Sequence, residues 1–106
     1  MNASKRLTIL VLALVLAVPA ISFAQASGAA TFKAKCAMCH GADGSASTGM
    51  GKTLGLKPLS SPDVQNMSDA DLTALITDGK GKMPAYKGKL SDADIQAVVK
   101  YIRTLK

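Results

Sequence analysis

The stretch Cys36-Ala37-Met38-Cys39-His40 decides how this chain is read, because it gathers the only two cysteines and the only histidine of 106 residues into five positions. The spacing C-x-x-C-H is the attachment signature for c-type haem. Two thiols three positions apart at a helix end can each add to one vinyl group on the same edge of a porphyrin. The next residue, His40, then turns its imidazole toward the iron. Thioether bonds make such a cofactor a permanent part of the chain. Other readings of the same residues are weaker. A redox-active dithiol of the thioredoxin kind also uses C-x-x-C, but that fold needs a βαβ pattern that this sequence lacks. A structural zinc site takes four Cys or His ligands as a rule, and Cys36, Cys39 and His40 make three. An inert disulfide would explain neither the adjacent histidine nor the short, aromatic-poor chain.

Toward the N-terminus, Ser27 can cap a helix that the spacing of Ala29, Phe32 and Cys36 predicts from Ser27 or Gly28 to about Ala37. Ahead of it, Lys5 and Arg6 precede a 12-residue apolar run from Leu7 to Val18, followed by small residues at Ser22, Ala24 and Ala26. That is the order of a secretory signal peptide. Spanning a bilayer takes about 20 consecutive apolar residues, and Pro19, Ser22 and Gln25 interrupt this run too soon. Residues 1–24 are therefore predicted to be a signal peptide cut after Ala24 or Ala26, with residues 25–106 as one exported, periplasmic domain. No cysteine lies near either cut, so nothing suggests a lipid-modified terminus. The whole chain carries a formal +6 from 13 basic and 7 acidic residues, and loss of Lys5 and Arg6 leaves +4. This mild surplus suits an acidic partner or an anionic surface, but it lacks the Arg-rich, aromatic-interleaved pattern of nucleic-acid binding.

Toward the C-terminus, Gly41 to Ser61 is rich in Gly, Ser and Thr and reads as loop, with a short turn near Met50. Pro62 can open a brief helical turn reaching Met67. Ser68 then stands as N-cap before Asp69 and Asp71, with Leu72, Leu75 and Ile76 as the buried stripe and Gly79 as the stop. Ser91, Asp92 and Asp94 repeat that start, and Ile95, Val98, Val99 and Ile102 continue at helical spacing. No run alternates as a strand would. The expectation is an all-α domain of three main helices plus loops, so short that it needs a cofactor as an internal brace.

Haem iron in a carrier takes a second axial ligand, and with His40 the only histidine the natural candidate is a methionine thioether. Met83 is the choice, because it lies in Gly79-Lys80-Gly81-Lys82-Met83-Pro84, where glycines let the backbone turn and Pro84 biases Met83 toward an extended conformation. Met38 is too near His40 to reach the opposite face. Met50 and Met67 compete, and are expected to pack against the porphyrin instead.

With Cys36, Cys39, His40 and Met83 in this order, residues 25–106 resemble the class I cytochrome c family, particularly its small bacterial monohaem members. Gly28 with Phe32 and Val98 with Tyr101 match that family's crossing of N- and C-terminal helices. Pro58 departs from it, lying farther from His40 than the loop proline whose carbonyl orients the ligand histidine, so the acceptor for His40 is open. The resemblance implies the cytochrome c fold around one covalently bound haem c, with His40 and Met83 on the iron. It also implies an electron carrier rather than an enzyme. Lys33, Lys35, Lys80, Lys82, Lys87 and Lys89 flank the two haem-holding segments, and read either as charges that steer acidic redox partners or as ordinary solvated surface charges. A monomer is expected. The alternatives are a haem enzyme or gas sensor with a displaceable sixth ligand, and a membrane-tethered cytochrome subunit of a respiratory complex.

Overall fold

The computed structural model describes residues 23–106. The signal peptide expected over residues 1–24 therefore lies almost wholly outside the described residues. Among the described residues six helices follow in chain order: α1 Phe23–Lys35, α2 Ala37–His40, α3 Gly49–Leu54, α4 Pro62–Gln65, α5 Asp69–Asp78 and α6 Asp92–Arg103. Among the described residues there is no strand, only two isolated bridges, Lys80 with Met83 and Lys87 with Leu90. The fold is all-α, and the long helices α1, α5 and α6 are the three expected ones.

The frame is set where α1 crosses α6. A Cβ built on Gly28 would lie 2.8 Å from the carbonyl carbon of Ala97, closer still to its oxygen, and 3.3 Å from Tyr101 Cβ. Only glycine lets two backbones approach so closely. One turn on, the Phe32 ring meets the Tyr101 ring at 5.2 Å between centroids and 55° between planes, within the range of favourable tilted pairs. Phe32, Ile95, Val98 and Val99 are each 2% exposed or less, and Leu59, Leu72, Ile76 and Ile102 complete the core around them. The stripe predicted for α6 is buried in full. In α5, Leu72 and Ile76 are buried, whereas Leu75 is half-buried.

The two expected serine caps form. Ser68 Oγ accepts from Asp71 N–H at 3.0 Å and Ser91 Oγ accepts from Asp94 N–H at 3.1 Å, each satisfying a donor that the first helical turn leaves free. Asp69, Asp71, Asp92 and Asp94 sit in those first turns, on the positive end of each dipole. Gly79 ends α5 at φ 74, and a Cβ there would meet Met83 O at 2.7 Å and Ala85 N at 2.8 Å. The loop that follows is thus folded tightly back on the end of α5.

Helix α1 departs from expectation at its start. It begins at Phe23, so Ser27 lies inside it rather than at its cap, because Ala24, Gln25 and Ala26 are good helix formers that continue the helix. It also stops at Lys35, and Cys36 at φ −115 and ψ −26 separates it from α2. The glycine-rich loop holds more structure than its composition suggests: the turn near Met50 is the six-residue helix α3, capped by Thr48, whose Oγ1 accepts from Gly51 N–H at 2.9 Å.

Arg103, near the end of α6, ties the middle of the chain down. Its guanidinium donates to Gln65 O at 2.9 Å, to Met67 O, and to Asp69 Oδ1 at 2.8 Å. Gln65 Nε2 in turn donates to Leu59 O at 2.8 Å and Ile102 O at 3.1 Å. Together these bonds hold α4 and the start of α5 against the C-terminal helix, leaving an apolar hollow between them and α2.

Candidate functional site

Cys36, Cys39 and His40 are held by a short helix gripped from several sides. Cys36 N–H donates to Phe32 O at 2.8 Å, joining the motif to the core residue of α1, and His40 N–H donates to Cys36 O at 3.0 Å. After the motif the chain doubles back: Ala46 N–H donates to His40 O at 2.8 Å, with Ala46 buried at φ 58, a left-handed conformation uncommon outside glycine. Thr48 Oγ1 donates to Cys39 O at 3.0 Å. A Cβ on Gly51 would fall 2.6 Å from both Cys39 O and Ala46 O, so α3 packs directly on the motif backbone. Residues that carry a cofactor need this rigidity, and here it comes from backbone bonds rather than from bulky side chains.

Two adjoining cavities open on the motif. The inner one, of about 210 Å³, is walled by Phe32, Leu59, Val64, Met67, Leu72, Leu75, Ile76, Val98 and Ile102. The outer one, of about 540 Å³, is walled by Met38, Cys39, Leu54, Pro84 and Tyr86, with Lys35, Lys80 and Lys82 at its rim. Cys36, His40, Leu56 and Met83 line both. The outer volume falls in the range of roughly 300–1,000 Å³ usual for cofactor sites, and its walls are mostly apolar.

The polar atoms in these walls point to what they hold. Nδ1 of His40 is buried without a hydrogen-bond partner, which a folded protein rarely tolerates unless the ring serves another group. Burial lowers the His40 pKa below its ordinary value, so the ring is neutral and carries a lone pair at neutral pH. Cys36 and Cys39 are free thiols. Burial, with Cys39 beside it, pushes the Cys36 thiol up to about 11, the opposite of the depressed value that a dithiol redox centre requires. Among the described residues no group of three or more His, Cys, Asp or Glu could hold a metal ion, so the zinc reading has no ligand set. Two unpaired thiols, a neutral imidazole, a thioether and a large apolar hollow fit a covalently attached haem.

The methionines separate clearly. Met83 lines both cavities, and Met67 lines the inner one. Met38 and Met50 are 77% and 46% exposed, so of the two competitors expected against the porphyrin only Met67 faces the hollow. Met83 is presented by a tight hairpin in which Lys80 and Met83 exchange backbone bonds at 3.1 and 3.0 Å. Pro58 O accepts from Ser61 N–H at 3.0 Å, so that carbonyl serves the start of α4. The walls contributed by Leu56, Leu59, Val64 and Tyr86 were not legible as site residues. Tyr86, three positions after Met83, was the one with a signal, since it is one of few aromatics. Its hydroxyl donates to Lys35 O at 2.8 Å, and burial raises its pKa, so it is a protonated donor at neutral pH.

The chain is similar to known proteins over most of its length. The family described as cytochrome c oxidase, cbb3-type, subunit III matches residues 23–102. A cytochrome c6 of Leptolyngbya boryana is 40% identical over 77 residues, covering 73% of this chain and 87% of that protein. A cytochrome c6 of a Picosynechococcus species is 37% identical over 101 residues, covering 91% of this chain and 86% of its own length. A third, from a Synechococcus species, is 39% identical over 102 residues, covering 91% and 88%.

Proposed function

The chain belongs to the cytochrome c family, as a small class I monohaem cytochrome with a covalent haem that carries electrons, and we propose that Cys36 and Cys39 bond the haem, that His40 and Met83 are its axial ligands, and that the protein works as an exported monomer. The observation that carries the ligand assignment is that His40 and Met83 are the two side chains with iron-binding atoms, other than the motif cysteines, that line both cavities. When bound, the haem supplies an iron that gains and loses one electron. Cys36 and Cys39 fix its position. His40 offers a neutral nitrogen from a rigid helix, and Met83 offers a soft sulfur from the hairpin, the pairing that raises the potential of a carrier. Leu56, Leu59, Val64 and Met67 exclude water, so the site reorganises little when its charge changes.

Two ligands from the chain leave no position for substrate, which suits outer-sphere transfer at the exposed rim. Lys33, Lys35, Lys80, Lys82, Lys87 and Lys89 are all exposed. Among the described residues the ion pairs are Lys57–Asp63 and Arg103–Asp69, and neither involves any of these six lysines. An acidic partner protein fits that rim. Export is supported by the residue order in the first 24 positions, and among the described residues no helix is long and apolar enough to cross a membrane.

The test is spectroscopic. Ferric wild-type protein should show the weak absorption near the red end that reports sulfur ligation, and Met83→Ala should abolish it. Survival of that band in the variant refutes the assignment. Ferrous wild-type protein should bind carbon monoxide slowly at neutral pH, and prompt binding would favour the enzyme or sensor reading.

A further inference from the structure

The hairpin that presents Met83 is anchored at two places of different character. On one side, Tyr86 N–H donates to Ile76 O and Lys87 N–H to Thr77 O, each at 3.0 Å, fastening the loop to the end of α5. These are backbone bonds that any residue at those positions would make. On the other side, the Tyr86 hydroxyl crosses 51 positions of sequence to reach the carbonyl of Lys35, the last residue of α1 and the neighbour of Cys36.

That carbonyl is available for a physical reason. In an unbroken helix, Lys35 O would accept from the N–H of Cys39, four residues on. The helix breaks at Cys36, and Cys39 N–H turns instead to Cys36 O at 3.3 Å. The break that turns the motif into its own short helix thus exposes an acceptor beside the first cysteine, and the phenol takes it. The ring lines the outer cavity next to Met83 and Pro84, and the ammonium of Lys89 lies 6.0 Å from its centroid, within cation–π reach.

We propose that Tyr86 is a positioning residue: its hydroxyl latches the Met83 hairpin to the end of α1, so that the loop must break this bond before Met83 can leave the iron. This rests on the reading of Met83 as the axial ligand. The ligand loop and the cysteine motif are then joined by a bond whose strength enters directly into how readily the sixth position opens. Opening costs the closed state the Tyr86 bond, and the phenol regains only water. A side chain that merely filled space would work equally well as phenylalanine.

The experiment uses mature ferric protein with its haem, and imidazole as the competing ligand. Tyr86→Phe removes one oxygen and keeps the ring against the cavity. The variant should keep the near-red sulfur band without added ligand, yet bind imidazole about two- to twelvefold more tightly than wild type, the range one neutral hydrogen bond spans. An imidazole affinity equal to that of wild type overturns the latch, even where the urea midpoint falls, since the phenol would then serve the fold alone. Met83→Ala, measured in parallel, separates the two readings. If it loses the band and binds imidazole more tightly while Tyr86→Phe matches wild type, the latch fails and the ligand assignment stands. If Met83→Ala keeps the band, the ligand assignment fails and the latch goes with it.

Discussion

Replacing Gly28 with alanine tests the helix crossing on which the haem site is built. The added Cβ would stand 2.8 Å from Ala97 C and nearer to its oxygen, with Tyr101 Cβ at 3.3 Å. Carbon atoms pack at about 3.5–4.0 Å, so α1 and α6 would part by roughly 0.7 Å, and a gap of that size forfeits about a quarter to a half of each dispersion contact across it. The obstruction is backbone and cannot rotate aside. The cost therefore belongs at the upper end of the overpacking range, about 3 kcal/mol, against a gain of about 1 kcal/mol from alanine's better helix propensity. The net loss of about 2 kcal/mol corresponds to a melting temperature lower by about 8–16 °C for a domain this size. Thermal unfolding of the haem-loaded protein by far-ultraviolet circular dichroism measures it. Gly49→Ala is the control, because a Cβ there meets nothing within 4 Å, and it should melt at or slightly above wild type. A Gly28→Ala protein that melts within about 3 °C of wild type would show that the crossing does not depend on glycine, since that shift corresponds to less than about 1 kcal/mol.

Other consequences are as direct. Ser91→Ala should cost about 1 kcal/mol by freeing Asp94 N–H at the start of α6, with Ser91→Asp restoring most of it; equal urea midpoints for all three proteins would contradict this. Arg103→Met keeps the aliphatic stem but leaves Gln65 O and Met67 O without their donor, so stability to urea should fall by about 1–3 kcal/mol, and an unchanged midpoint would show the staple to be idle. Reduced protein should react with ferricyanide, an anion, severalfold more slowly at high ionic strength and in a Lys80→Gln, Lys82→Gln double variant; rates insensitive to both would remove electrostatic steering from the account.

How much was legible in the chain depended on the range of the interaction. The caps at Ser68 and Ser91 are local chemistry, each complete within four residues, and they read directly. The buried face of α6 also read directly, because Ile95, Val98, Val99 and Ile102 fall on one side of a helix whatever packs there. Helix α3 was hidden by its glycines. Gly51 is needed for close contact with Cys39 O and Ala46 O, a tertiary demand that looks like loop composition. Ser27 misled for the converse reason: serine is a good cap, but nothing before it stops the helix. The Arg103 staple spans 34 to 38 positions, and the Tyr86 bond spans 51, so neither leaves a pattern in sequence. The expectation that both Met50 and Met67 pack against the porphyrin likewise needed three dimensions, since only packing shows that Met50 is exposed.

The covalent attachment can be measured on one purified sample by a pyridine haemochrome spectrum taken with the intact mass under denaturing conditions. The expected result is a thioether-type spectrum and one haem per chain that stays bound through denaturation, on a polypeptide beginning at Gln25 or Ser27. A properly matured chain that is colourless, or that releases its haem on unfolding, would contradict it.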